Sequence, residues 1–483
     1  MSNNEVAAAA AAPPPHIVLV CFPTQGHINP TLRLAKRLAS KGLLATFVTT
    51  SGAGAKIAAA SASPPGAMSS GVRVGRGRVR FEFLDDHGNE RDDLMRFLAA
   101  SAPAAFAELL HRHADVACVV GNPFLPWAVD VAADAGVPAA VLWPQSCAVF
   151  SVYYHFAHGL VELPPEEDDD HDDARVVVSI PGIPPLSVAE LPSFLLPSNP
   201  FKMLTEAILG QFENIGKSSW VFVNSFSELE LDVLAAFPSV SPTPPELIPV
   251  GPLIELDDDA VRGDMIKAAD DECVRWLDTQ SPRSVVYVAV GSIVELPADE
   301  VTEMAHGLAS TGRPFLWVLR PETRPLLPEG FVVEVAAGGG VAIAGGGRGV
   351  VVPWSPQERV LGHAATGCFL THCGWNSTLE TVAAGVPVVA FPQWGDQCTD
   401  AKFMVEELGI GVRLRAPPLR REAVREAVEA AVAGEDADAM LARATSWSAA
   451  ARAAVAPGGS SDRHVQAFVD EVTRRASGKA SSS

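Results

Sequence analysis

The sequence predicts an α/β protein built from two Rossmann-like, doubly wound domains that face each other across a cleft. Three observations carry this. Residues 16–50 run strand, helix, strand. A stretch dense in proline and then in acid interrupts the chain at 238–264. Beyond it the alternation resumes and reaches a strand, a glycine turn and a helix at 368–385. At 483 residues, 48% hydrophobic and only 19% charged, the chain can bury two sizeable cores. The expected division is a leader at 1–15, a first domain at 16–245, a second at 246–465, and a last helix and tail at 466–483.

The leader has an alanine run but no basic n-region and no leucine-rich core, so it is expected to be disordered and not a signal peptide. HIVLVCFP (16–23) is a buried strand pattern. Residues 28–42 place Leu32, Leu34, Ala35, Leu38 and Ala39 on one helical face, and LLATFVTT is the next strand. The first strand–helix joint carries Thr24-Gln25-Gly26-His27. It lacks GxGxxG, which disfavours a dinucleotide site and NAD-linked redox chemistry. His27 stands at a strand's C-terminal edge and a helix N-terminus, where a neutral imidazole is favoured.

Residues 51–71 read as a Ser/Pro/Gly loop, including Gly-Ala-Gly at 52–54. The basic run at 73–80 has no interleaved aromatics and reads as a solvated loop entering a strand. A helix through LMRFLAASAPAAFAELLHRH follows. Two further strands end at Asn122 and at Gln145-Ser146, both ligand-edge positions in a parallel sheet. The acid tract at 166–173 reads as a solvated insertion; DxD-like patterns there and at 257–259 sit at no strand end, so no metal site is expected. A proline-rich segment (181–200), a helix and the strand SSWVFVNSF complete this half.

In the second half SVVYVAVGS is a strand ending at Gly291-Ser292. Ser292 is a candidate secondary phosphate donor. The two GGG triplets within 336–349 lack a following GK[ST], so they form a flexible connection and not a P-loop. At 368–371 an apolar strand stops at His372-Cys373-Gly374 and a helix starts at Trp375-Asn376-Ser377. Such a turn leaves the first helical N–H groups unpaired at the positive end of the dipole, where a phosphate sits well.

Around this joint, WSPQ opens and WGDQ closes a segment, 354–397, that resembles the signature box of plant family-1 UDP-sugar glycosyltransferases. The resemblance implies a fold called GT-B, with the acceptor held by the first domain, the UDP-sugar by the second, and the last helix at 466–483 packing back on the first. It implies that Trp354 stacks on uracil, Ser355 offers backbone to the base, and Gln357 and Glu380 hold the ribose. His372, Trp375, Asn376 and Ser377, with Gly374 in the turn, are expected at the diphosphate. Asp396 and Gln397 are expected at the sugar hydroxyls, with Gln at the last position pointing to UDP-glucose as co-substrate. FPTQGHINP resembles the family's first loop, whose histidine, here His27, is the general base. Many members support that base with an aspartate where this chain has Asn122. An amide orients a ring but does not offset its positive charge, so a carboxylate acceptor, already ionised, is expected. GNPFLPW, LWPQSCA and YYHFAHGL resemble the branch that esterifies hydroxycinnamic and benzoic acids. Thr24 and Gln145 are expected to touch the acceptor.

The implied reaction inverts configuration, α-linked donor to β-glucose ester, with UDP leaving without a metal ion and with no cofactor. The alternatives are an O-glucosyltransferase for phenolic or terpenoid hydroxyls, with His27 as a true base, and a non-catalytic UDP-sugar-binding protein. A net charge of −21 argues against nucleic-acid partners. No apolar run approaches the roughly 18 residues of a membrane span. The seven scattered cysteines lack a CxxC pair. A cytosolic monomer is expected.

Overall fold

The computed structural model describes residues 13–61, 69–86, 91–163, 177–200, 202–240, 244–255, 270–291, 294–335, 342–344, 348–414 and 418–480. The leader up to residue 12, the acid tract, the triplet at 257–259, Ser292 and most of the two GGG stretches lie outside these residues.

Two eight-stranded sheets organise the molecule. The first uses β1 (His16–Val20), β2 (Leu44–Thr50), β3 (Val72–Val74), β4 (Gly77–Leu84), β5 (Val116–Gly121), β6 (Ala139–Trp143), β9 (Trp220–Val223) and β10 (Leu247–Pro249). Its order is β10-β9-β6-β5-β1-β2-β4-β3, and every pairing but that of β3 with β4 is parallel. β7 (Val177–Val178) and β8 (Leu186–Ser187) form a small separate ribbon. The second sheet uses β11 (Val285–Ala289), β12 (Phe315–Val318), β13 (Val332–Val335), β14 (Ala342–Ala344), β15 (Gly349–Val352), β16 (Thr366–Thr371), β17 (Val388–Ala390) and β18 (Gly411–Arg413). It runs β13-β14-β15-β12-β11-β16-β17-β18. Helices cover both faces of a parallel sheet, so central strands are apolar on both sides. β1, β5, β11 and β16 are accordingly buried at every position. In each sheet a strand order that turns back on itself opens a crevice at the strands' C-terminal edge. The first two helices are α1 (Gln25–Ser40) and α2 (Ser51–Ser61).

Four local expectations are corrected. The start of the 51–71 loop is α2: Thr50 Oγ1 accepts from the Ala53 N–H and Asp86 from the Gly52 N–H, which caps the helix. Gly54 lets it lie on β4, since a Cβ there would come 2.3 Å from the Phe83 ring. The basic run is a β-hairpin, β3 to β4, turning through Gly75 at φ 55°. The helix foreseen through 94–113 is two, Arg91–Ala100 and Ala102–Arg112, because Pro103 can stand only in a first helical turn. Within the glycine-rich connection, β14 pairs antiparallel with both β13 and β15.

The final helix, Ser460–Ala480, crosses back to the first sheet. Val465, Phe468, Val469 and Val472 join the core of β1 and α1, and the Phe468 ring meets Trp220 and Phe222 edge-on. No helix among the described residues is long and apolar enough to cross a membrane.

Candidate active site

The joint from β16 into the helix Trp375–Ala384 has the geometry of an anion site. Cys373 takes a left-handed φ of 66°, costly for a side chain larger than hydrogen, and Gly374 is the N-cap with extended backbone. The His372 ring lies between Gly374 and Gly291. A Cβ on the first would lie 2.5 Å from Nε2 and on the second 2.6 Å. Only two glycines leave room for an imidazole here. Burial lowers the His372 pKa to about 4, so it meets a ligand neutral.

Below this joint runs a continuous polar chain. The Tyr287 hydroxyl on β11 meets Ser355 Oγ at 2.9 Å and donates to Gln357 Oε1 at 3.2 Å. Gln357 Nε2 donates to Ser377 Oγ at 2.8 Å and to Glu380 Oε2 at 2.7 Å. Glu380 also faces the Arg33 guanidinium, 3.5 Å away, on α1 of the other domain. Arg33 is buried and pairs with Glu358 at 2.7 Å and Glu255 at 3.7 Å. Lys36 also reaches Glu255, at 2.8 Å, yet burial and the neighbouring carboxylates push Glu358 up to about 8 despite the guanidinium. Trp354 is half-buried and makes no ring contact among the described residues, which leaves an indole face for a flat base.

Two expected donors are placed otherwise. The Trp375 indole is buried and donates to the Asn224 carbonyl at 2.6 Å, so only its backbone N–H is available to an anion. Asn376 donates from Nδ2 to the Gly26 carbonyl at 2.8 Å, which pins the helix tip to the first turn of α1, beside His27.

At the end of β17 the loop into Gln397–Lys402 holds the two groups expected at the sugar. Gln397 Oε1 accepts from the Gln393 and Trp394 N–H groups at 3.0 and 3.3 Å, which fixes the amide and leaves its NH2 free to donate. Burial raises Asp396 to about 6, with Asp400 and Gln145 on its carboxyl. Gln145 was expected at the acceptor; its side chain instead supports this acid. Asp400 is buried, accepts from Ser146 Oγ at 3.2 Å, and is pushed well above the usual carboxylate range by burial and by Asp396. The proline-rich segment of the first domain grips the same loop. Ser193 Oγ accepts from the Gly395 N–H at 2.6 Å, and Thr399 donates to the Glu190 carbonyl at 2.7 Å.

Across the cleft, His27 lies in the first turn of α1, three residues past the N-cap Thr24, whose carbonyl accepts from its N–H at 3.0 Å. Its ring is edge-on to Phe22 and Phe124, with centroids at 5.4 and 4.8 Å, and its Nδ1 is 3.0 Å from Asn122 Nδ2. Burial lowers its pKa to about 4.

Sequence reasoning missed Arg33, Tyr287, Asp400 and the 190–195 grip. Arg33 left a signal, a cation between Leu32 and Leu34 on an apolar helix face. The others are visible only once the two halves are folded together. Among the described residues one group converges closely enough for a metal: His16, His113 and Asp115. It lies at the strands' N-terminal edge, away from the cleft, and Arg80 sets its cation 3.2 and 3.3 Å from the two histidines.

Two α/β sheets, with the helix tip at 374–376, Glu380 and Trp354 on one side of a cleft and the buried His27 on the other, have the GT-B architecture of nucleotide-sugar transferases. Comparison with known proteins agrees. The family profile "UDP-glucoronosyl and UDP-glucosyl transferase" matches residues 257–442. Gallate 1-beta-glucosyltransferase 84A23 of Punica granatum is 43% identical, over 95% of this chain and 91% of that protein. Cinnamate beta-D-glucosyltransferase of Fragaria ananassa is also 43% identical, over 95% of this chain and 83% of that protein. Among solved structures, Os79 of O. sativa in complex with UDP superposes with a TM-score of 0.78 at 30% identity, covering 94% of this chain and 100% of that one. The chain belongs to the UDP-glucosyltransferase family.

Proposed function

We propose that the protein transfers glucose from UDP-glucose to the carboxylate of a small aromatic acid, of hydroxycinnamate, benzoate or indole-acetate type, and releases a β-glucose ester and UDP. The observation that carries this reading is the pairing of His27 with an amide. With a pKa near 4 and no counter-charge from Asn122, the ring is a poor base for an alcohol. A carboxylate is already ionised at neutral pH and needs no proton removed. The gallate and cinnamate activities named for two relatives support the same acceptor class.

In this reading Trp354 stacks on uracil, and Gln357 and Glu380 hold the ribose. The free N–H groups at the helix tip, with Ser377 and His372, receive the diphosphate, while Asp396 and the Gln397 amide bind the sugar hydroxyls. The acceptor oxygen attacks the anomeric carbon in line with the departing phosphate oxygen, which inverts the configuration. Negative charge grows on that oxygen as the bond breaks. The helix terminus and the preset His372 stabilise it without reorganising.

The test offers UDP-glucose with a cinnamic acid and with the corresponding cinnamyl alcohol. An alkali-labile product from the acid is expected. Preferential transfer to the alcohol, or an alkali-stable product from the acid, overturns the reading.

A further inference from the structure

Asn122 does more than lack a charge. Its amide orientation is set by a neighbour with no choice of role. The Phe124 backbone N–H can only donate, and it points at Asn122 Oδ1 from 3.1 Å. Turning the amide over would set an NH2 group against that N–H. Oδ1 therefore stays on Phe124, and Nδ2 is the atom that meets His27, 3.0 Å from Nδ1. An NH2 group donates, so Nδ1 must accept with its lone pair. In a neutral imidazole the proton is then on Nε2. The ring has no freedom to escape this, because Phe22 and Phe124 flank it. Nε2 makes no hydrogen bond to any described residue.

We infer that His27 meets the acceptor as an Nε2–H hydrogen-bond donor and not as a base, and that this N–H binds and aims the acceptor's carboxylate. The inference rests on the ester-forming reading and supplies its recognition element. An aspartate at 122 would accept from Nδ1–H and leave Nε2 with a lone pair, the state that draws a proton from a hydroxyl. The amide inverts the polarity. The step balances without proton transfer. A carboxylate oxygen forms the bond to the anomeric carbon, the bond from that carbon to the phosphate oxygen breaks with its electron pair going to UDP, and His27 keeps its proton throughout. A hydroxyl acceptor must lose a proton, and Nε2 has no lone pair to receive it.

Three measurements on the full chain test this. In the first, nitrogen NMR of histidine-labelled protein, with the His27 signals assigned by their loss in His27→Gln, is expected to show a protonated Nε2 and an unprotonated Nδ1. The opposite tautomer overturns the inference whatever the acceptor. In the second, His27→Gln retains an N–H donor with no basic nitrogen. It is expected to keep transfer to a cinnamic acid within about tenfold, while His27→Ala loses roughly 10- to 100-fold, the worth of a hydrogen bond to a charged group. Equal losses in two variants that melt like the parent overturn the donor role. In the third, 4-hydroxybenzoate offers both acceptor groups, and Asn122→Asp is expected to move product from ester toward phenolic glucoside. An unchanged ratio overturns the control assigned to position 122. A parent enzyme that shows the Nε2–H tautomer yet glucosylates only hydroxyls sinks the ester reading itself, a result the first measurement keeps separate.

Discussion

Asp396 and Asp400 share a hydrogen bond in the loop proposed to hold the sugar, and two buried carboxyls in contact do not both ionise readily. Asp400, pushed well up, keeps its proton; Asp396, raised to about 6, titrates in an accessible range. To accept from sugar hydroxyls Asp396 must be ionised. Affinity for UDP-glucose is therefore expected to fall as pH drops through about 6, a range in which the donor's own diphosphate does not titrate. Calorimetric titration with UDP-glucose between pH 5 and 8 should show this limb. Asp396→Asn should abolish it. Asp400→Asn, which replaces the acid's O–H donor to Asp396 with a weaker amide donor, should move it to higher pH. A limb unmoved in Asp400→Asn would mean that the pair is not coupled.

The element that matters most is the strand, turn and helix at 366–384, and it was largely legible. An apolar run that ends in His-Cys-Gly and restarts with helical periodicity has few other readings, because the free N–H groups of a helix start need an occupant. What spacing does not carry is side-chain direction. Trp375 and Asn376 are adjacent at the helix start, yet one indole turns into the core beside Asn224 and the other side chain crosses the cleft. The helix at 51–61, inside the loop expected at 51–71, was missed for a similar reason. Glycine weakens a helix in isolation, but here Gly54 lets one pack against Phe83. Gly374→Ala tests the element directly. Its new Cβ lands on His372 Nε2, so the ring must move, and UDP affinity is expected to drop at least about tenfold, the scale of one lost charged hydrogen bond. Equal affinity in the variant would show that His372 does not contact the diphosphate.

At the scale of the whole molecule, two sheets with separate cores are joined in part through buried polar ties, among them Arg33 to Glu380, Ser146 to Asp400 and Trp375 to Asn224. The two-sheet plan was readable from the alternation and the proline-rich break. The ties were not, because each links residues far apart in the sequence and no local pattern encodes the pairing. Arg33→Met leaves Glu358 and Glu380 facing each other without a cation, while Glu255 keeps Lys36. Removing one partner of a buried pair costs about 3 kcal/mol, taken at the low end because Glu255 and Glu358 are 25% and 24% exposed. Urea unfolding should show this loss, together with a raised KM for UDP-glucose. A loss of stability with an unchanged KM would confine Arg33 to holding the domains together.

Arg33 and His27 belong to the same helix, six residues or about 9 Å apart along its axis. The middle of that rod touches Glu380 at the proposed ribose site, and the Gly26 carbonyl in its first turn accepts from Asn376 at the tip of the facing helix. The rod therefore works as a gauge between the two substrates, since a shift that seats the ribose also sets the ring that faces the acceptor. Thermodynamic linkage makes the effect symmetric. The factor by which UDP tightens acceptor binding must equal the factor by which the acceptor tightens UDP. Equilibrium titrations of each ligand with and without the other should give one matched ratio above unity in the parent, and a ratio near one in Arg33→Met. The enzyme would then favour a filled cleft over either half-filled state, and free UDP-glucose would meet few poised histidines until an acid is in place.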